Sequence, residues 1–139
     1  MVNYIEPMQT AFHVMSLVAE ANRDLVGASI VATQFYKKSR TALLVVKGER
    51  SQITLGFLFG PSGSGTIVVP SSKFEVDTTE KPWPIFSLVS GVASSVEQLG
   101  FDRIFRVTIT NDGSVRHLLF EAIGPNGNIW LLDENNRLL

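Results

Sequence analysis

The sequence predicts an α+β domain with two antiparallel β-sheets, sandwich-like, and two helices. Three observations carry this. Apolar residues recur at helical spacing in two stretches, around residues 10–25 and 84–100. The rest of the chain is built of short β-branched and aromatic runs separated by polar or glycine-rich breaks. Those runs come in consecutive series, and a βαβ repeat does not fit that order.

Each element follows in turn. Between Thr10 and Leu25, the residues Ala11, Val14, Met15, Val18, Ala21 and Leu25 form an apolar stripe, with Glu20, Asn22 and Arg23 on the polar face. Thr10 is the expected N-cap and Gly27 the expected stop. Strands are predicted at 29–36, 41–46 and 51–59, joined by the turns "KKSR" (37–40) and "KGER" (47–50). Breaks of that length favour an antiparallel meander. The loop "GPSGSG" (60–65) leads to a fourth strand, "TIVVP" (66–70), ended by its proline. Residues 71–84 form a connector. Pro84 then opens the second predicted helix, with Ile85, Leu88, Val89, Val92 and Val96 as its stripe and Gly100 as its end. Gly91 inside it costs about 1 kcal/mol relative to alanine, which points to close backbone packing. Strands at 103–110, 114–123 and 129–132 complete the order, joined by "NDG" (111–113) and "GPNGN" (124–128). The two halves share a layout, a helix followed by strands, without a repeat in sequence.

The length of 139 residues suits one domain. With 45% hydrophobic and 18% charged residues the chain has ample material for a core. Folding at this size buries roughly 65–70% of the surface. Twelve basic against 13 acidic side chains leave a net charge of −1. That is short of the basic surplus usual in nucleic-acid binders. The chain has no cysteine, which excludes disulfides, thiolate metal sites and cysteine nucleophiles. The N-terminus lacks a signal-peptide pattern, and no apolar run approaches the roughly 20 residues that span a bilayer. A soluble, cytoplasmic protein without contact to membrane is the expectation.

Few residues announce chemistry. "GPSGSG" lacks the lysine and the following helix of a phosphate-binding loop, so a hairpin loop is expected. His13 and His117 are far apart in sequence and suggest no metal site. Glu75 and Asp77 share the spacing of a strand face and Asp133–Glu134 lie in the tail, and nothing suggests a buried lone carboxylate for acid–base work. No G-x-S-x-G elbow supports a serine nucleophile. "KKSR" is the densest positive run, but Lys47 and Arg50 fall on the next turn, at the opposite end of the meander. No cofactor, metal or catalytic residue is expected. Asp102–Arg103 stand apart, immediately before a strand. Arginine offers a planar fork of donors suited to phosphate, and an adjacent carboxylate can orient it or accept from a nucleotide.

Four segments carry a resemblance. "QLGFDRI" (98–104) resembles the Q-x-G-x-D-R-I segment of the N-terminal domain of NFACT proteins, ribosome quality-control factors once named fibronectin-binding protein A-like. "DLVGASIVATQFY" (24–36), "WPIFSLV" (83–89) and "FEAIGPNGNIWLLDENNRLL" (120–139) are similar, in the same order and register, to further segments of that domain. The resemblance covers nearly the whole chain as a single domain, and identifies it as the N-terminal fragment of a longer protein. It implies a fold similar to the N-terminal domain of formamidopyrimidine-DNA glycosylases. The N-terminal proline nucleophile of those enzymes is missing, since the chain begins Met1-Val2-Asn3.

What the resemblance implies for function is an RNA-binding module, not an enzyme, that engages tRNA and the large ribosomal subunit during rescue of stalled nascent chains. Asp102 and Arg103 match the family's tRNA-binding pair, with Glu121 and Asn128 supporting the adjacent loop. The sequence departs from the family where Gly91, Val92 and Ala93 replace Arg-Lys-His, and where Pro125, Asn126 and Gly127 stand between Gly124 and Asn128. Two other functions stay open. One is an adhesin-like, fibronectin-binding or other protein-interaction domain using Phe57, Phe59 or Trp83. The other is a non-catalytic glycosylase-like DNA binder.

Overall fold

The structure, a computed structural model, describes residues 10–48, 51–60, 63–73, 80–83, 89–122 and 127–139. Among these residues one α-helix, α1 (Ala11–Leu25), precedes eight strands. They are β1 (Ser29–Tyr36), β2 (Thr41–Lys47), β3 (Gln52–Gly60), β4 (Gly63–Pro70), β5 (Val92–Gln98), β6 (Ile104–Asn111), β7 (Ser114–Glu121) and β8 (Asn128–Asp133). The α+β class holds.

Helix α1 starts as its sequence predicts. The Thr10 hydroxyl accepts from the His13 N–H at 3.3 Å, and the Thr10 N–H donates to His13 Nδ1 at 3.2 Å. This reciprocal box satisfies two groups that a helix start would leave orphaned, and it gives His13 a structural use. The helix ends at Leu25, and Gly27 takes φ +89°, a left-handed turn that suits glycine. The buried stripe is Val14, Leu17, Ala21 and Leu25, with Leu17 where Met15 was expected.

The strands form one antiparallel sheet in the order β4-β3-β2-β1-β5-β6-β7-β8, where two sheets were predicted. Two four-stranded meanders exist, but they share an edge. Ser29 pairs with Val92, and the joint is sealed by hydrogen bonds from Ile30 N to Gly91 O (2.7 Å), Ala93 N to Ala28 O (3.0 Å) and Gly27 N to Ala93 O (2.8 Å). Joining the edges satisfies backbone groups that separate sheets would leave exposed. The halves still face each other. The rings of Phe57 on β3 and Phe120 on β7 lie 5.3 Å apart. Five strand spacings would separate those strands by about 24 Å in a flat sheet. The sheet therefore folds back on itself around a common core. Helix α1 packs on β5 and also touches β4 and β6, bridging the two meanders.

The second predicted helix does not form over residues 92–98, which are β5; residues 84–88 lie outside the described part of the chain. The physical reason is a β-bulge. Pairing with β6 slips between Ala93 and Ser95, so the buried Ala93 and Val96 share a face three residues apart. One extra residue in a strand turns a spacing of two into three, which imitates a helix. Val92, assigned to the helical stripe, is exposed. The close packing expected at Gly91 is present in a different setting. A Cβ there would collide with the carbonyl of Thr110, and the backbone is at φ +132°.

Within "GPSGSG", β3 and β4 pair down to Gly60 and Gly63, so the stretch is the tip of a hairpin and β4 begins earlier than predicted. The turns at 37–40 and after Lys47 lie at opposite ends of β2, as the meander requires.

Candidate functional site

The turn between β5 and β6 carries Asp102 and Arg103. Gly100, at φ +63°, lets the chain reverse, and Leu99 N donates to Ile104 O at 2.9 Å to close the turn. Asp102 Oδ1 accepts from the main-chain N–H of Arg103 at 2.7 Å. The carboxylate thus shapes the turn through Oδ1, a use beside the two the sequence suggested, orienting the guanidinium or accepting from a nucleotide. Arg103 O accepts from Ala122 N at 2.8 Å, which ties the turn to the chain leaving β7. Gln98 adds a second tie. Its side-chain amide donates to Asp102 O at 2.6 Å and to Ala11 O at 3.1 Å, joining the turn to the first turn of α1.

The other two predicted site residues lie at this same end of the sheet. Glu121 is the register partner of Ile104, directly after Arg103, and Asn128 is the partner of Glu121. The Glu121 carboxylate accepts from the Trp130 indole N–H on β8. All four residues therefore meet at one end of the second meander, although 26 positions separate Asp102 from Asn128 in the chain.

Charge there is available. Arg23 pairs with Asp24, and Arg106 with Glu97. Arg103 belongs to neither, so its fork of donors is free for a ligand. Arg106, three residues on, differs: it donates to Glu97 at 2.8 Å and to Asn136 Oδ1 at 3.2 Å, and is part of the sheet's outer face.

The remaining candidates have structural uses. His117 is buried and within 2.9 Å of the Thr108 hydroxyl, with its pKa held below the ordinary 6.5 first by burial and then by the Arg106 charge. Asp133 accepts from the N–H groups of Asn135 and Arg137 and caps the C-terminal turn. At "KKSR", the Glu80 carboxylate accepts from Lys38 N (2.5 Å) and Ser39 N (3.3 Å), and the Lys37 ammonium sits 5.8 Å from the Trp83 ring centre. Phe57, offered as an exposed contact for a protein partner, is wholly buried, because strand alternation turns Leu55 and Phe57 into the core. Trp83 is exposed. Arg50, Glu75, Asp77, Pro125 and Asn126 fall outside the described residues, as does the side chain of Phe59. No cluster among the described residues has the ligands for a metal ion, and no described helix is long and apolar enough to cross a membrane.

Two features of this end were not assigned from the sequence. One is the clamp made by Gln98, which was read only as a letter of a motif. The other is an exposed aromatic pair, Phe12 and Phe101, with ring centres 4.9 Å apart and planes at 75°. A phenylalanine beside a turn glycine and an Asp-Arg pair was the available signal for the second.

These features belong to a fold with solved relatives. The N-terminal domain of fibronectin-binding protein PavA from Streptococcus pneumoniae superposes with a TM-score of 0.77 at 20% identity, over 91% of this chain and 52% of that one. The fibrinogen-binding protein from Staphylococcus aureus matches with a TM-score of 0.75 at 22% identity, over 93% and 48%. The N-terminal part of the fibronectin/fibrinogen-binding protein from Streptococcus suis gives 0.72 at 20%, over 90% and 49%. The chain thus has the fold of the N-terminal domains of fibronectin-binding proteins, the group its sequence segments resemble; no glycosylase is among these structures. It spans about half the length of these chains. No family model and no curated protein matches it.

Proposed function

We propose that the chain is a non-enzymatic RNA-binding module of a ribosome quality-control factor, engaging tRNA and the large ribosomal subunit. One observation carries the reading: the free Arg103 guanidinium is presented on a turn fixed by Asp102, Gln98 and Ala122, at the sheet end that also holds Glu121 and Asn128. A rigid mount matters because a donor fork must meet a phosphate or base edge within a few tenths of an ångström. The register of the four sequence segments supports the same reading. The test is a salt series of tRNA binding. Arg103→Ala should weaken binding several-fold and lower the slope of log affinity against log salt by about one, the loss of one phosphate contact. Unchanged affinity and slope would remove Arg103 from the interface.

A second reading draws on the solved relatives, whose names record fibronectin and fibrinogen binding. Under it the domain recognises a host protein. Binding to fibronectin that is insensitive to salt, with no affinity for tRNA, would favour it. Preference for damaged duplex DNA over tRNA would favour a glycosylase-like binder instead.

A further inference from the structure

Phe12 and Phe101 are 64% and 59% exposed, the largest exposures of any aromatic side chain among the described residues. Their edge-to-face contact fixes each ring against the other and leaves ring faces open to solvent. Neither residue is loosely held. Phe12 sits in the first turn of a capped helix, and Phe101 in a turn that Gly100 and the Asp102 carboxylate shape. One side chain spans both. The Gln98 amide holds the carbonyl of Ala11, which precedes Phe12, and that of Asp102, which follows Phe101.

We infer that Phe12 and Phe101 form a stacking platform for one unpaired RNA base, with Arg103 beside it for the adjoining phosphate and Gln98 as the positioning residue. The inference rests on the RNA-binding reading and names the part of the RNA that this end of the domain takes.

Size and charge favour a base over a protein surface. Among the described residues, the two rings with the exposed Met15 one helical turn on make a small patch, short of the roughly 800 Å² per partner of a stable protein interface. That patch suits a base, whose flat π-face stacks on an aromatic ring whatever its identity. The polar rim matches a nucleotide. Arg103 supplies the cation, and Asp102, using Oδ1 for the turn, keeps Oδ2 to accept from a ribose hydroxyl or a base amino group. A fully paired duplex hides its base faces and cannot use the rings.

The experiment uses the full 139-residue chain. The probes are a single-stranded RNA carrying 2-aminopurine and a blunt RNA duplex of the same length. Wild type should quench the 2-aminopurine fluorescence and prefer the single strand. Phe101→Ala should abolish the quench and weaken single-strand binding about tenfold, the usual loss for one stacked base, while binding the duplex as wild type does. Phe101→Tyr should restore both. Arg103→Ala should weaken binding to both probes while keeping the quench at saturation. If Phe12→Ala and Phe101→Ala bind and quench like wild type while Arg103→Ala is weakened, the platform is refuted and the RNA-binding reading stands. Failure of wild type to bind either probe refutes both. Loss of fibronectin binding in Phe101→Ala, with RNA binding intact, assigns the rings to a protein partner and overturns the inference.

Discussion

His117 lies on β7 with its ring buried against Thr108, and the groups facing it are Arg106 on β6, Glu97 on β5, Asp133 on β8 and the main chain of Glu134 in the tail. Burial and the Arg106 charge lower its pKa in the folded state. The unfolded chain then binds the proton more readily than the folded one. His117 therefore contributes its full stability above about pH 6.5, and that contribution is lost as pH falls through the depressed folded value. Thermal melts between pH 7 and pH 5 should show the wild type losing stability. His117→Asn, which places an amide near Nδ1 without titrating there, should lose less over the same range. Equal losses in the two proteins would rule out His117 as the source. Arg103 and Arg106 show the same dependence on neighbours. Their side chains are chemically identical, yet Arg106 is engaged by Glu97 and Asn136 while Arg103 has no such partner among the described residues. The motif around Arg103 was legible in sequence. The engagement of Arg106 was not, because its partners come from β5 and the C-terminal turn.

The joint between β1 and β5 depends on two bulges and one glycine. Both strands slip their register next to it, β1 between Ile30 and Ala32 and β5 between Ala93 and Ser95. Gly91 lets the chain pass against Thr110 at a φ that L side chains rarely adopt. Gly91→Ala meets both a backbone clash and a strained φ, so it should cost more than about 3 kcal/mol. Chemical denaturation would measure it, and a loss under 1 kcal/mol would show that the joint can relax. Gly27→Ala, with open space around its Cβ, should cost less. Helix α1 was readable because its cap and its 3.6-residue stripe are local. Strand β5 was misread because the bulge restores a three-residue spacing that local pattern cannot distinguish from a helix.

The two meanders share one core. Phe57 and Phe120 meet across the folded sheet, Phe120 also stacks on Phe105 at 4.7 Å, and Asn22 on α1 donates to Val96 O at 2.6 Å on β5. Truncating a ring at that centre removes packing from both halves at once. Phe120→Ala should cost about 3–5 kcal/mol. Amide protection in β2–β3 and β6–β7 should fall together in this variant. Protection that falls in the second meander alone would show that each half folds by itself.

The residues of the chain are enough to specify its class, its first helix, most of its strands and the turn that carries the Asp-Arg pair, because periodicity, caps and turn glycines act within a few positions. They did not reveal that the two meanders share one sheet, that residues 92–98 are strand, or that Gln98 ties the first turn of α1 to the turn that carries Asp102. Those depend on edge pairing, a bulge and a side chain reaching back 87 positions to Ala11. Contacts of that kind form only when the whole backbone has satisfied its hydrogen bonds and buried a common core.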